Sequence, residues 1–208
     1  MKKKTFSQFD YKLYYSSYAL MLLAVIFFFI GNFGIADNWV GLTVTLIEHA
    51  QSLFLLFMAG YTYCYAQKIK SNPDIYKFWI WTIFWWLLLF GRGISWGRDF
   101  FPDVPRFYYK IIASILIAIP ILSMFMIASI RREIKRRYST EKIPVWHVFF
   151  AFFYLGLADI AEHHRIGYEY LVLNQNNADL IEELMEFPCL FSLALVVFYL
   201  QKREHFSK

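Results

Sequence analysis

Apolar residues in this chain neither alternate nor keep to one stripe of a helix. They come in runs of about 20 residues, separated by short polar stretches. A helix needs about 20 apolar residues to cross ~30 Å of hydrocarbon. Lipid offers no partner to a free backbone N–H or C=O, so only helices and closed barrels can cross it. Barrel strands would alternate apolar and polar positions. The pattern therefore predicts an all-α, polytopic integral membrane protein: one domain, residues 1–208, as a bundle of six transmembrane helices. The spans fall at roughly 13–32, 39–66, 75–97, 108–130, 145–163 and 179–200. Asn72-Pro73-Asp74 supplies a cap and a first-turn proline for the third span. Pro120 sits inside the fourth and should kink it.

Composition agrees. The chain is 59% hydrophobic and 22% aromatic, above the ~45–50% apolar share of soluble domains. A net charge of +5 would suggest nucleic acid in a soluble protein. Here the basic residues fill short loops and tails, so topology explains them and no nucleic-acid partner is expected. Cys64 and Cys189 lie in different spans and outside any CxxC; both read as packing residues. The Lys2-Lys3-Lys4 start precedes a long apolar run with no small-x-small cleavage site, which reads as a retained first span.

Lysine and arginine set the orientation. With the N-terminus, the loops at 67–74 and 131–143 and the C-terminal tail on one side, that side holds all but five of the 21 basic residues. The positive-inside rule makes it cytoplasmic, with both termini there. A bacterial inner membrane is the expected setting. The run Arg131-Arg132-Glu133-Ile134-Lys135-Arg136-Arg137 could in addition attract anionic lipid. Carboxylates do the reverse, and most lie in or beyond the outer half of the spans. That excess has no topological explanation, because acidic residues contribute little to orientation.

Charges inside spans usually face a bundle interior or a watered cavity. At about 1.5 Å per residue, Glu48, His49 and Gln51 lie near mid-membrane in the second span. Four spans carry polar sets at helical spacing: Glu48 and Gln51; Arg92, Ser95 and Asp99; Asp159, Glu162 and His163; Asp179, Glu182, Glu183 and Glu186. They predict a shared acidic chamber open to the outside. Glu48 and Glu186 would be deep acceptors, Arg92 the counter-charge, and Asp159, Glu162, His163 and Glu183 the mouth. Each set also has a structural reading. Asp179-x-x-Glu182 is a capping box in form, and Glu48 could simply pair with Arg92. His147 reads as an inner-interface residue, and the tryptophans of the third span as packing or lipid-facing.

Three functions fit such a chamber. The first is binding, with or without transport, of a cation or of a cationic or lipidic ligand at Glu48, Gln51, Arg92, Ser95, Asp159, Glu162, His163, Glu183 and Glu186. The second is a metal-dependent enzyme acting on a lipid or glycan-lipid. A divalent metal would then be held among Glu48, His49, Glu162, His163 and Glu186, although neither HExxH nor the Glu-x-x-His of di-metal bundles is present. The third is a non-catalytic subunit or assembly factor whose aromatic surface meets another membrane protein. The stretch Gly91-Arg92-Gly93-Ile94-Ser95-Trp96-Gly97 permits close helix approach or local unwinding.

Overall fold

The computed structural model describes residues 9–97, 101 and 103–204. It is all-α apart from one two-residue strand pair. In chain order the elements are β1 (Phe9–Asp10), α1 (Tyr15–Phe29), a π-helical turn (Ile30–Gly34), α2 (Asp37–Lys68), α3 (Pro73–Gly93) and α4 (Arg106–Met126). There follow α5 (Ala128–Thr140), β2 (Ile143–Pro144), α6 (Val145–His163), the short α7 (Tyr168–Leu171) and α8 (Ala178–Glu204). Among the described residues, five helical segments are long and apolar enough to cross a membrane: Tyr15–Gly34, Asp37–Lys68, Arg106–Met126, Val145–His163 and Gln175–Glu204. The remaining long helix, α3, has 21 residues. Its tryptophans, Tyr76, Lys77 and Arg92 lower its hydropathy, and it is not among the five.

The chain divides into two compact units, Met1–Ile47 with Glu141–Lys208, and Glu48–Thr140. In the first, α6 and α8 pack along each other and α1 lies against both. Leu20, Phe150, Tyr154, Ala158, Ile181 and Met185 form the core. The small residues Ala158 and Ala161 on α6 let the helices approach closely, as lipid-embedded helices need when no hydrophobic drive separates helix from lipid. Gly31 serves the same purpose: a Cβ there would stand 2.6 Å from Ile181 Cγ1. Tyr154 is fully buried and donates its hydroxyl to the carbonyl of Leu20.

In the second unit α3 packs against α4 and α5. Asn72 caps α3, accepting from Ile75 N at 3.4 Å, with Pro73 in the first turn as expected. Trp79 is fully buried and meets Tyr65 edge-on at 5.3 Å. Trp81 donates to the carbonyl of Pro120 at 2.8 Å, tying α3 to α4.

Several expectations need correction. The stretch 131–143 is not a loop. The fourth helix stops at Met126, Ile127 turns to extended geometry (φ −95°, ψ 105°), and α5 follows. Its buried stripe is Ser129, Ile130, Glu133 and Arg137, positions three and four apart that hydropathy alone does not mark because two are charged. The third helix ends at Gly93, short of 97. Ser95 (φ 48°) and Trp96 (φ 58°) are left-handed, and the Trp96 ring closes on Gly91, where a Cβ would lie 2.7 Å from it. Ser95 therefore leaves the helical stripe of Arg92; Asp99, the third member, and Arg98 lie outside the described residues. Asp179 is inside α8, which begins at Ala178, so it is not the cap of a capping box. Cys189 is buried as predicted, but Cys64 is exposed.

Candidate functional site

The predicted site residues divide between the two units. Asp159, Glu162, His163, Glu183 and Glu186 belong to the first; Glu48, His49, Gln51, Arg92 and Ser95 belong to the second. In the second unit Gln51 is buried, whereas Glu48, His49 and Arg92 are exposed. Among the described residues, no hydrogen bond or ion pair reaches Glu48, so the suggested Glu48–Arg92 pair is not formed. Among the same residues, no group of three or more His, Cys, Asp or Glu side chains is placed to hold a metal ion.

The first unit does assemble its set. The last turn of α6 presents Asp159, Glu162 and His163 on one side, as their spacing requires. His163 Nδ1 lies 3.4 Å from Asp159 Oδ1 and 3.4 Å from Glu162 Oε2. His164, left-handed at φ 51°, ends the helix and swings Arg165 back. Arg165 then grips Asp159 with two nitrogens, Nε to Oδ2 at 2.5 Å and Nη2 to Oδ1 at 3.0 Å. These side chains are about half exposed, so the pairs contribute little to stability. Beside them residues 164–175 form a cleft of about 780 Å³. His164 stacks on Tyr168 at 4.1 Å on its wall, and Glu169 and the exposed Tyr170 stand at its edge. Glu182, Glu183 and Glu186 follow along the start of α8, half-buried.

Two asparagines hold this cap in place, and hydropathy analysis passes over both. Asn32, 7% exposed, donates to the carbonyls of Phe28 (2.9 Å) and Leu171 (3.1 Å) and accepts from Leu173 N (2.7 Å). Asn177, 1% exposed, donates to the carbonyl of Gly31 at 2.8 Å. Buried backbone carbonyls must find partners, and these side chains supply them for Leu171 and Gly31. Their polarity at the end of an apolar run is the only sequence signal.

A second polar cluster, at the other end of the first unit, was also not foreseen. Phe9–Asp10 pairs in parallel with Ile143–Pro144. Asp10 accepts from Tyr14 Oη (2.9 Å), Tyr199 Oη (2.5 Å) and Lys12 N (3.1 Å), with Arg203 Nη2 at 3.6 Å. His147 is buried, stacks on Tyr14 and sits 2.8 Å from Ser16 Oγ through Nε2. Burial pushes the Asp10 carboxyl up, but the hydrogen bonds from Tyr199, Lys12 and Tyr14 and the charge of Arg203 outweigh it. The net effect holds the group below its ordinary value of 3.8. A depressed folded value means that the stabilisation is complete above the unfolded pKa and is lost as pH falls through the folded one. Asp10→Asn should therefore cost about 2 kcal/mol at neutral pH. The gap between wild type and variant should narrow as pH falls from the ordinary carboxylate value of 3.8 through the depressed folded one. Unfolding midpoints recorded from pH 7 to pH 2.5 check this; a gap independent of pH would show that the charge does not matter.

No family model, curated protein or solved structure matches the chain. The class is set by architecture alone: an all-α fold with, among the described residues, five helices long and apolar enough to cross a membrane.

Proposed function

We propose that this is a polytopic inner-membrane protein that takes up an organic cation at the acidic end of its first unit. In this reading α3 is the sixth span. Tryptophan suits both membrane interfaces and helix packing better than its hydropathy suggests. Six spans place both termini on the basic side, which the distribution of Lys and Arg makes cytoplasmic. The cleft beside α7 then opens on the opposite side.

The observation that carries the reading is the charge of that end. From Asp37 and from 159–186 come eight carboxylates against one arginine, and one of them, Glu169, edges the cleft together with Tyr168 and Tyr170. A field of one sign attracts and concentrates the opposite ion. Aromatic faces beside a carboxylate suit a cation with an apolar body. The half-exposed carboxylates bind through this field and these faces rather than as a coordination shell.

Full-length protein in nanodiscs should bind tetraethylammonium more tightly than potassium at equal ionic strength, measured by calorimetry. Tyr170→Ala should weaken tetraethylammonium by roughly two- to thirty-fold, and Glu169→Gln should do so in the same direction. Equal response to both cations would reduce the cleft to ordinary surface charge and overturn the reading.

A further inference from the structure

The basic helix α5 holds a second place where a ligand fits. Its cations are not equivalent. Arg132 is neutralised by Asp74, at 2.9 and 3.0 Å. Arg136 and Arg137 share Glu133, at 2.6 and 2.9 Å. Arg131 and Lys135 are left over: both are exposed, and among the described residues neither has a carboxylate within ion-pair distance. They are four residues apart, one turn of the same face, and Tyr138 continues that face.

These two charges border a groove of about 330 Å³ in the elbow between α4 and α5, whose other walls are Met124, Phe125, Ile134 and Tyr138. The elbow exists because Ile127 breaks the helix and turns α5 away from the apolar α4. Phe125 and Met126 stay exposed there, at 62% and 79%. An apolar trough with two unneutralised cations at its rim selects a molecule that is itself divided, with an anionic head and an apolar tail. A small anion would leave the trough empty, and an uncharged lipid would leave the cations unmatched. A basic stripe at the end of a membrane-crossing helix meets such molecules in the bilayer itself.

We propose that the α4–α5 elbow binds an anionic phospholipid, with its phosphate on Arg131 and Lys135 and the start of an acyl chain on Phe125 and Ile134. The probe is phosphatidylglycerol against phosphatidylcholine of the same chains, added to the delipidated full-length protein and counted by native mass spectrometry. Wild type should retain phosphatidylglycerol preferentially. Arg131→Gln with Lys135→Gln should weaken that retention about five-fold per charge, or ~25-fold together. Lys68→Gln with Lys70→Gln, removing two exposed cations elsewhere, should leave it unchanged. Phe125→Ser, at a position 62% exposed, should weaken long-chain phosphatidylglycerol but not the dihexanoyl form. Retention unaffected by the Arg131/Lys135 pair, or lost equally in the Lys68/Lys70 control, would overturn the proposal. Displacement of the lipid by millimolar inorganic phosphate would also overturn it, because the site would then be one for a bare anion.

Discussion

Replacing Glu133 by alanine should destabilise the second unit by about 3–5 kcal/mol, the usual cost of removing one partner from a buried ion pair. Glu133 is 2% exposed, and its carboxylate serves both Arg136 and Arg137. Arg137 is itself 6% exposed, its guanidinium 4.1 Å above the Phe78 ring and 5.0 Å from that of Trp79. Without Glu133 that buried charge loses the carboxylate 2.9 Å from it, and the aromatic faces beneath it are worth at most about 2 kcal/mol. The cost is therefore mainly that of a buried arginine deprived of this carboxylate, not a lost attraction. A double variant tests that distinction. Glu133→Leu with Arg137→Met removes the charge together with its partner and should recover most of the loss, since buried pairs are often replaceable by apolar residues. Unfolding followed by tryptophan emission reads both, because Trp79 lies under the arginine. A single variant that loses less than about 1 kcal/mol would mean that water reaches the pair. A double variant as unstable as the single would place the cost in packing.

Asn32→Leu should open the cap over residues 168–177 without unfolding the helices beneath it. Leucine fills a similar volume but leaves Leu173 N without its acceptor and Leu171 O without its donor. Each buried, unsatisfied group costs about 1–3 kcal/mol, so the segment should lose about 2–4 kcal/mol of local stability. Amide exchange at Leu173 should then speed up by two orders of magnitude or so, while exchange in the middle of α6 and α8 stays slow. Asn32→Asp keeps the acceptor for Leu173 and loses only the donor, so it should fall between. Because Tyr168 and Tyr170 hang from this segment, tetraethylammonium binding should weaken with it. Faster exchange spread through α6 as well would mean that Asn32 supports the whole unit rather than its cap.

Helical architecture was legible because hydrocarbon leaves the chain few choices. A run of about 20 apolar residues must close its own hydrogen bonds, and all six predicted runs are long helices. The grouping of Asp159, Glu162 and His163 was equally legible, since spacing of three and four within one helix guarantees one face. The Glu48–Arg92 pair was not, because spacing within a helix says nothing of which way that helix turns toward its neighbours. Helix ends were the weakest reading. Trp96 folds back on Gly91 to end α3, and a break at Ile127 turns basic residues that looked like a loop into a helix. Each end depends on contacts made by residues elsewhere.

Sequence by itself therefore determined the helical class, the location of the long helices and the local acidic face of α6. Tertiary structure alone decided which charges cancel. Glu133 and Asp74 pair with three of the five cations on α5 and leave Arg131 and Lys135 beside an apolar groove. Likewise Asp10, one acid among sixteen in the sequence, gains Tyr199 beside its neighbour Tyr14 only when α8 returns beside the N-terminus. The physical reason is common to both. Hydropathy is a property of each residue, whereas the state of a charge depends on what stands within a few ångströms of it, and in a folded chain that neighbour comes from far along the sequence.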